Sequence, residues 1–494
     1  MGKEKRNFRK TAASGVTWML GSSVCLKVTS LAVNIVLARL LVPSDFGAVA
    51  LALGFTGILQ TFAEMGTSVA IVQMDSVTPS TLDSAFTTTL VTTLIIGTSL
   101  WVSASFIADF FSMPVVKNLL RIAAVAYFFR GLFALQRCLL LREFHYKKIA
   151  FLDFLGYALY GFTATVLAIY GFGAYSMAWA QLVWTMGLLT AGSVVTGYFP
   201  KGLGNWKEMR YLVRFGSWVS LSRIIRNLGG NVDRFVIGKA IDANALGVYS
   251  LAQRFVTIAP DSFSRIIDQV MLPVYSKFKN DPNRIENGYW EALSYSSIIL
   301  LPPIFLLFLL AKPIVLLVLG EKWHMVVPVI RIMSLYAMTR ALGEGIFDSV
   351  VFASGRPHIV TVVSIFRLIV FPFCLIVGAY WGLIGITWGF AVFGVLARLF
   401  SQFLLHKFFN FSFFRFFREI SPAFLCAMVA AIPCLVISSN YNFTNNIWLT
   451  LFIIISNSFL WLGLYGLCGQ FFMSEKINFL FEQSKHFLLA RKPT

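Results

Sequence analysis

Residues 37–52, LARLLVPSDFGAVALA, align without a gap on residues 237–252, IGKAIDANALGVYSLA. Gly47 falls on Gly247, Leu51 on Leu251, Ala52 on Ala252 and Arg39 on Lys239, and Trp18 and Trp218 keep the same offset. Further on, Leu-Leu-Arg121-Ile and Arg130-Gly-Leu meet Val-Ile-Arg331-Ile and Arg340-Ala-Leu at an offset of 210, and Tyr170 meets Tyr380. One sixteen-residue match is weak, but an ordered series of matches indicates duplication. The unit repeated is six apolar spans. Six is even, so both copies enter the membrane in the same orientation, as parallel repeats related by an axis along the membrane normal.

Working outward, the chain has 494 residues, 57% of them hydrophobic and 13% charged. A soluble domain carries about 25% charged residues. Fourteen segments are apolar over the ~20 residues that cross a bilayer: 12–38, 45–72, 83–108, 115–136, 149–170, 174–197, 212–237, 245–273, 289–311, 325–352, 358–378, 381–405, 420–438 and 447–470. The expected fold is an all-α polytopic membrane protein of about 14 transmembrane helices. Residues 1–200 form an N-terminal six-helix bundle, 201–410 its repeat, and 411–494 two added helices with a cytoplasmic tail. Outer-membrane barrels are excluded, since their strands alternate over about ten residues. The six cysteines show no C-x-x-C spacing and read as small core residues.

Placing the N-terminus inside puts twenty-four Lys and Arg in cytoplasmic segments and five in outer connections. The positive-inside rule then predicts cytoplasmic N- and C-termini. The inside connection near Asp75 carries no basic residue, which is the one silent loop. Two inner stretches, Phe408–Phe417 and the tail after Phe472, mix aromatics with basic residues and are expected to anchor at the inner interface.

Twelve basic and seven acidic residues remain within spans. A charge at a helix centre costs about 2.5–3.5 kcal/mol, so these must line a wet cavity, pair, or snorkel. The excess of basic groups points to an anionic solute. At 100° per residue, Ser220, Arg223, Asn227, Gly230, Asn231, Asp233 and Arg234 share one arc of the seventh span. In the first span Ser23, Lys27, Ser30 and Asn34 form a stripe at the repeat-equivalent positions. The predicted substrate-binding residues are Lys27, Asn34, Arg130, Arg223, Arg226, Asn227, Asn231, Arg234, Arg254, Arg265 and Arg340. The bland alternative is that such stripes bond neighbouring helices. Asp261–Arg265 reads equally as a structural i,i+4 pair, Arg340, Glu344 and Asp348 also run at i,i+4 as a pair plus a spare carboxylate, and Arg331, Arg367 and Arg398 read as snorkelling or helix-bridging groups. Glu64, Asp233, Glu344 and Asp348 are the ion-coupling candidates. No metal or cofactor motif, no H-E-x-x-H, G-x-S-x-G or Walker A pattern, and no external domain is present, so an enzyme is not expected.

LARLLVPSDFG (37–47), EMGTSVAIVQ (64–73), QRCLLLREFHYKKI (136–149) and LGEKW (319–323) together resemble the polysaccharide-transporter branch of the multidrug/oligosaccharidyl-lipid/polysaccharide exporter superfamily. Flippases of the colanic-acid and O-antigen type are the nearest likeness. One departure is Glu64–Met65–Gly66, where an Asp-Phe-Gly-like triplet is expected. The resemblance implies movement of undecaprenyl-pyrophosphate-linked oligosaccharide units from the cytoplasmic to the periplasmic leaflet. The expected partners are that lipid-linked substrate, membrane lipid, and a polysaccharide polymerase with its chain-length machinery, with no nucleic acid and a monomeric protein. A peptidoglycan-precursor flippase shares the architecture. A drug/cation antiporter would want an acidic cavity, and a polymerase or ligase would want a larger outer loop.

Overall fold

The computed structural model describes residues 25–63, 77–200, 202–214, 229–279, 281–439 and 447–476, with isolated positions 71, 74 and 478. Among these the regular structure is helical. A first helix, α1, covers 25–40. It is followed by α2 (Pro43–Ala63), α3 (Pro79–Phe110), α4 (Pro114–Arg142), α5 (Tyr146–Ile169) and α6 (Ala174–Thr196). The short α7 runs over 206–214. Next come α8 (Val232–Ala240), α9 (Ala243–Lys277), α10 (Pro282–Leu309), α11 (Ala311–Val318), α12 (Val326–Ala341) and α13 (Glu344–Ala353). The chain closes with α14 (His358–Ala379), α15 (Gly382–Phe409), α16 (Phe413–Ser439) and α17 (Ile447–Phe472). Ten stretches among the described residues are long and apolar enough to cross a membrane. The spans outside that set are the first, second, seventh and eighth, which are the two repeat-equivalent pairs.

Local chemistry sets several boundaries. Thr78 caps α3, its hydroxyl accepting from Thr81 N at 3.1 Å with Pro79 in the first turn. Asp281 does the same for α10 through Arg284 N at 3.2 Å. Within α3, the buried Thr88, Thr92 and Thr93 donate to carbonyls four residues back at 2.7 Å. Hydroxyls are thereby satisfied inside the helix, as a span without water requires. Gly378 and Gly385 bring α14 and α15 into backbone contact: a Cβ on either would lie 2.4 or 2.2 Å from the other's carbonyl oxygen. Large side chains such as Phe106, Phe162 and Phe459 face outward, the surface that lipid covers.

The chain gathers into two units, Met1–Ser250 and Leu251–Thr494. Inside the first, the repeat becomes visible in space. A Cβ on Gly47 would lie 1.7 Å from the Ala243 carbonyl oxygen, and one on Gly247 would lie 1.8 Å from that of Pro43. Positions 43 and 243, and 47 and 247, therefore exchange partners across a local two-fold axis, as the 200-residue offset predicts. At the far ends of the repeat, Tyr170 and Tyr380 are both exposed residues terminating α5 and α14.

Three expectations need correcting. The seventh span is not one continuous helix: a turn at Gly230–Asn231 precedes α8, so the arc drawn from Ser220 to Arg234 does not run through it. The tenth span breaks between α12 and α13, where Gly343 takes φ +102°, so Arg340 and Glu344 are not an i,i+4 pair on one helix. Cys25 is exposed rather than a core residue, whereas Cys138, Cys426 and Cys434 are buried, and all six cysteines are free.

Candidate functional site

The second helix organises the described part of the site. Near its start, Gly47 makes the backbone crossing with α9. Two turns on, Gly54 leaves room for α8: its missing Cβ would lie 3.4 Å from the Phe235 ring and 3.6 Å from Cδ of Arg234. Phe235 packs on Phe55 at 4.8 Å between ring centres. Arg234 donates from Nη1 to Asn231 Oδ1 at 3.0 Å, and its Nε is buried with no hydrogen-bond partner among the described residues. Six residues beyond Gly54, about 9 Å along the axis, Gln60 meets Arg130. With its amide oxygen turned to the guanidinium, Gln60 accepts from Nε at 2.8 Å and Nη2 at 3.0 Å. Tyr127 one turn earlier on α4 donates to the Leu59 carbonyl at 2.8 Å, and Arg130 lies 5.4 Å from the Trp184 ring centre. Two predicted cations from different helices, Arg130 and Arg234, thus stand along α2.

Asp233 is buried, and its carboxylate accepts from the Tyr249 hydroxyl. On α1, Asn34 is buried and donates to the Ser30 carbonyl at 2.6 Å, while Lys27 is half-buried. Arg254 and Asp348 are half-buried, and Arg340 is half-buried with its guanidinium 6.0 Å from the Tyr336 ring centre. Arg223, Arg226, Asn227 and Glu64 lie outside the described residues, as do the side chains of Arg265 and Glu344. A cavity of about 140 Å³ between α3, α4 and α6 is lined by Gln136, Ser193, Tyr198 and apolar side chains, and contains none of the predicted site residues.

Other charges have structural partners. Asp153 pairs with Arg137 at 2.5 and 3.2 Å, so it is not a free intramembrane acid. Arg142 donates to the carbonyls of Ile71 at 2.5 Å and Met74 at 2.8 Å. The silent inner loop thereby takes its positive charge from α4. Arg398 is buried and bridges helices instead of snorkelling, donating to Tyr289 Oη at 2.7 Å. The Phe408–Phe417 stretch divides its aromatics: Phe411 and Phe416 are buried, whereas Phe414 and Phe417 are exposed.

The connection between repeats is fixed to the start of α3. Glu208 accepts from Ser84 Oγ at 2.7 Å and Ser80 Oγ at 3.2 Å, and Asn205 N donates to Ser84 Oγ at 2.9 Å. Tyr198 lies 3.3 Å from Asp83, and burial together with that carboxylate pushes its hydroxyl well above the usual phenol range. Sequence reasoning missed Gln60, Trp184 and Tyr249. A glutamine in the middle of an apolar span was the available signal for the first. Trp184 and Tyr249 are indistinguishable from core aromatics without coordinates.

With α2 placed between the two cations, comparison with known proteins becomes informative. A family model described as polysaccharide biosynthesis protein matches residues 36–328, more than half of the chain. The chain belongs to that family. It is similar to the lipopolysaccharide biosynthesis protein WzxC of Escherichia coli (strain K12), 24% identical over 408 residues, 81% of this chain and 82% of the relative. It is also similar to the teichuronic acid biosynthesis protein TuaB of Bacillus subtilis (strain 168), 24% identical over 422 residues, 85% and 87% of the two chains. Among solved structures, the lipid II flippase MurJ in an inward closed conformation shares the fold. It superposes with a TM-score of 0.72 at 14% identity, over 94% of this chain and all of that one. An inward-facing multidrug resistance transporter of the MOP superfamily superposes at 0.64 and 17% identity, over 77% and 95%. The chain is thus a multi-pass membrane protein of the polysaccharide biosynthesis family. Its polysaccharide-transporter branch is the one the sequence resembles.

Proposed function

We propose that this protein flips an undecaprenyl-pyrophosphate-linked oligosaccharide from the cytoplasmic to the periplasmic leaflet of a bacterial inner membrane, for surface polysaccharide assembly. Transport proceeds by alternating access between the bundles 1–200 and 201–410, with residues 411–494 added to them. The observation that carries this reading is the placement of Arg130 and Arg234 along α2, in a family of polysaccharide biosynthesis proteins. Pyrophosphate supplies the charge that two guanidiniums match through paired N–H donors. The sugars need a hydrated path, and the lipid tail remains in the bilayer. Lys239 donates to the Phe110 carbonyl at 2.6 Å near the crossing of α9 on α2, and on this reading that contact, at the end of the spans that the charge count puts outside, is one that opening outward has to remake. Lys27, Asn34 and Asn231 extend the polar path, and Asp233 and Asp348 are the described candidates for ion coupling.

The test is export by the full-length protein in cells lacking their own flippase for the same unit. Replacing Arg234 with Ala should abolish export while membrane insertion stays normal, and Lys at that position should restore part of it. Wild-type export by the Arg130→Ala/Arg234→Ala double variant would refute the cationic path. A peptidoglycan-precursor substrate offers the same pyrophosphate, so accumulated lipid-linked intermediates in the variant strain identify which unit is carried.

A further inference from the structure

Arg398 is the buried cation that the flipping path does not use. It is 7% exposed and sits on α15. Nη2 donates to Tyr289 Oη at 2.7 Å and Nη1 to the Gly343 carbonyl at 3.2 Å, while the guanidinium lies 4.7 Å from the Phe416 ring centre. Tyr289 in turn donates to Gln402 Oε1 at 2.9 Å, one turn along α15 from Arg398. No carboxylate pairs with Arg398 among the described residues. An arginine does not deprotonate in such a place, so its charge is balanced by carbonyl, hydroxyl and ring dipoles. One of those dipoles belongs to Gly343, where the tenth span is broken.

The break is local and one-sided. The repeat counterpart, α4, is helical from Pro114 through Arg142, and carries Arg130 at the position matching Arg340. In the second repeat the helix stops at Ala341, Gly343 adopts φ +102°, and a new helix begins at Glu344. A side chain at 343 would be strained in that conformation. Its Cβ would also stand 3.2 Å from Leu293 and 3.6 Å from Arg398 Nη2. The inner half-helix is held beyond the break by Ile346, Phe347 and Val350, which are buried in the same cluster as Tyr289. Interrupted helices in transporters commonly lie at the substrate path, because the carbonyls they free require a partner. Here the Gly343 carbonyl already accepts from Phe347 N at 3.1 Å as the first bond of α13, and Arg398 Nη1 is a second, charged donor on it.

We propose that Arg398 is a positioning residue: by bridging the Gly343 carbonyl and Tyr289, it fixes the start of α13 at the break in the tenth span and sets the directions in which Arg340 and Asp348 point. The inference rests on the reading of the tenth span as part of the substrate path. Its test therefore includes a readout that is independent of what is transported.

In the full chain carrying Cys25→Ser, Asp348→Cys reports the orientation of α13 through its labelling rate with a water-soluble maleimide. Adding Arg398→Gln should change that rate at least fivefold, whereas Arg398→Lys should change it less than twofold. In the natural sequence, Arg398→Gln should lower transport about tenfold, Arg398→Lys should retain a third or more, and Gly343→Ala combined with Arg398→Gln should do no worse than Arg398→Gln alone. Val350→Ala, a cavity in the same cluster, controls for lost stability. Unchanged labelling in Arg398→Gln overturns the proposal. So does a Val350→Ala variant that, at a matched drop in Tm, reproduces both the labelling change and the transport loss. A labelling change without any transport defect retains the positioning of α13 and refutes the reading of the tenth span as substrate path.

Discussion

Gly247→Ala is the substitution whose consequence can be worked most directly from the structure. Its Cβ would stand 1.8 Å from the Pro43 carbonyl oxygen, where real Cβ contacts fall no closer than 3.0 Å, so α2 and α9 must part by about 1.2 Å at the crossing. Forcing a methyl into a close-packed contact costs about 1–3 kcal/mol. That cost falls only on the state in which the helices touch. If they separate when the outer side opens, the substitution biases the equilibrium toward the open state by roughly 5- to 150-fold. Gly47→Ala should act in the same direction, since its Cβ would meet the Ala243 carbonyl at 1.7 Å. Leu51, fully buried one turn below the crossing, is replaced by Cys on a Cys25→Ser background. Labelling by a membrane-impermeant thiol reagent applied to spheroplasts from outside should rise in both glycine variants. Gly57→Ala on the same helix, with open space around its Cβ position, should leave labelling unchanged. Folded Gly47→Ala and Gly247→Ala variants with wild-type labelling would refute the crossing as part of the outer closure.

Reporters fused after Thr494 and within 201–208 should read cytoplasm, and one within 440–446 periplasm; a periplasmic C-terminus reverses the orientation. Arg142→Ala strands the Ile71 and Met74 carbonyls, and should cost about 1–3 kcal/mol, the penalty of a buried acceptor losing a charged donor; a Tm within a degree of wild type would contradict it. Moving two negative charges outward is downhill by about 2.3 kcal/mol per charge per 100 mV, roughly 7 kcal/mol at about 150 mV. Proteoliposomes with potential, ΔpH and Na⁺ gradients imposed separately should show the potential accelerating flipping, and an ion gradient adding to it through a carboxylate such as Asp348. If neither ion gradient changes the rate, and Glu64→Gln and Asp348→Asn flip as fast as wild type, the potential is left as the driver.

The duplicated architecture was legible because apolar length and the ordered Gly47/Gly247 series depend on the chain alone. The inner arginines were harder. Arg137, at the inner end of the fourth span, and Asp153, within the fifth, form a bidentate pair, and nothing in a sixteen-residue separation announces that contact. The polar arc of the seventh span assumed a continuous helix, and a turn at Gly230–Asn231 ends that assumption. Gly230 itself was the warning, since glycine in a helix costs about 1 kcal/mol relative to alanine. Gly343 carried the same warning in the tenth span. Arg130 stands out in the sequence as an intramembrane cation, but its partners Gln60 and Trp184 come from two other helices. Pairing of that kind is a property of packing, not of sequence spacing.

The two repeats agree at the crossing of α2 on α9 and differ in their fourth and tenth spans. At the crossing, positions 43, 47, 243 and 247 obey a two-fold relation because two backbones in contact leave room for nothing larger than glycine on either side. Away from it the constraint is gone. Arg130 is tied down by Gln60 and Trp184 on an unbroken α4. Arg340, its counterpart, precedes a break in the helix, and the Gly343 carbonyl that starts the next helix accepts from both Phe347 N and Arg398. The proposed solute, with a charged head, a chain of sugars and a lipid tail, is itself asymmetric, and such a difference suits it. Two identical repeats would offer its pyrophosphate two equivalent positions and no preferred direction for the sugars. On that proposal, the divergence between the fourth and tenth spans is what gives the charged head one preferred position in place of two.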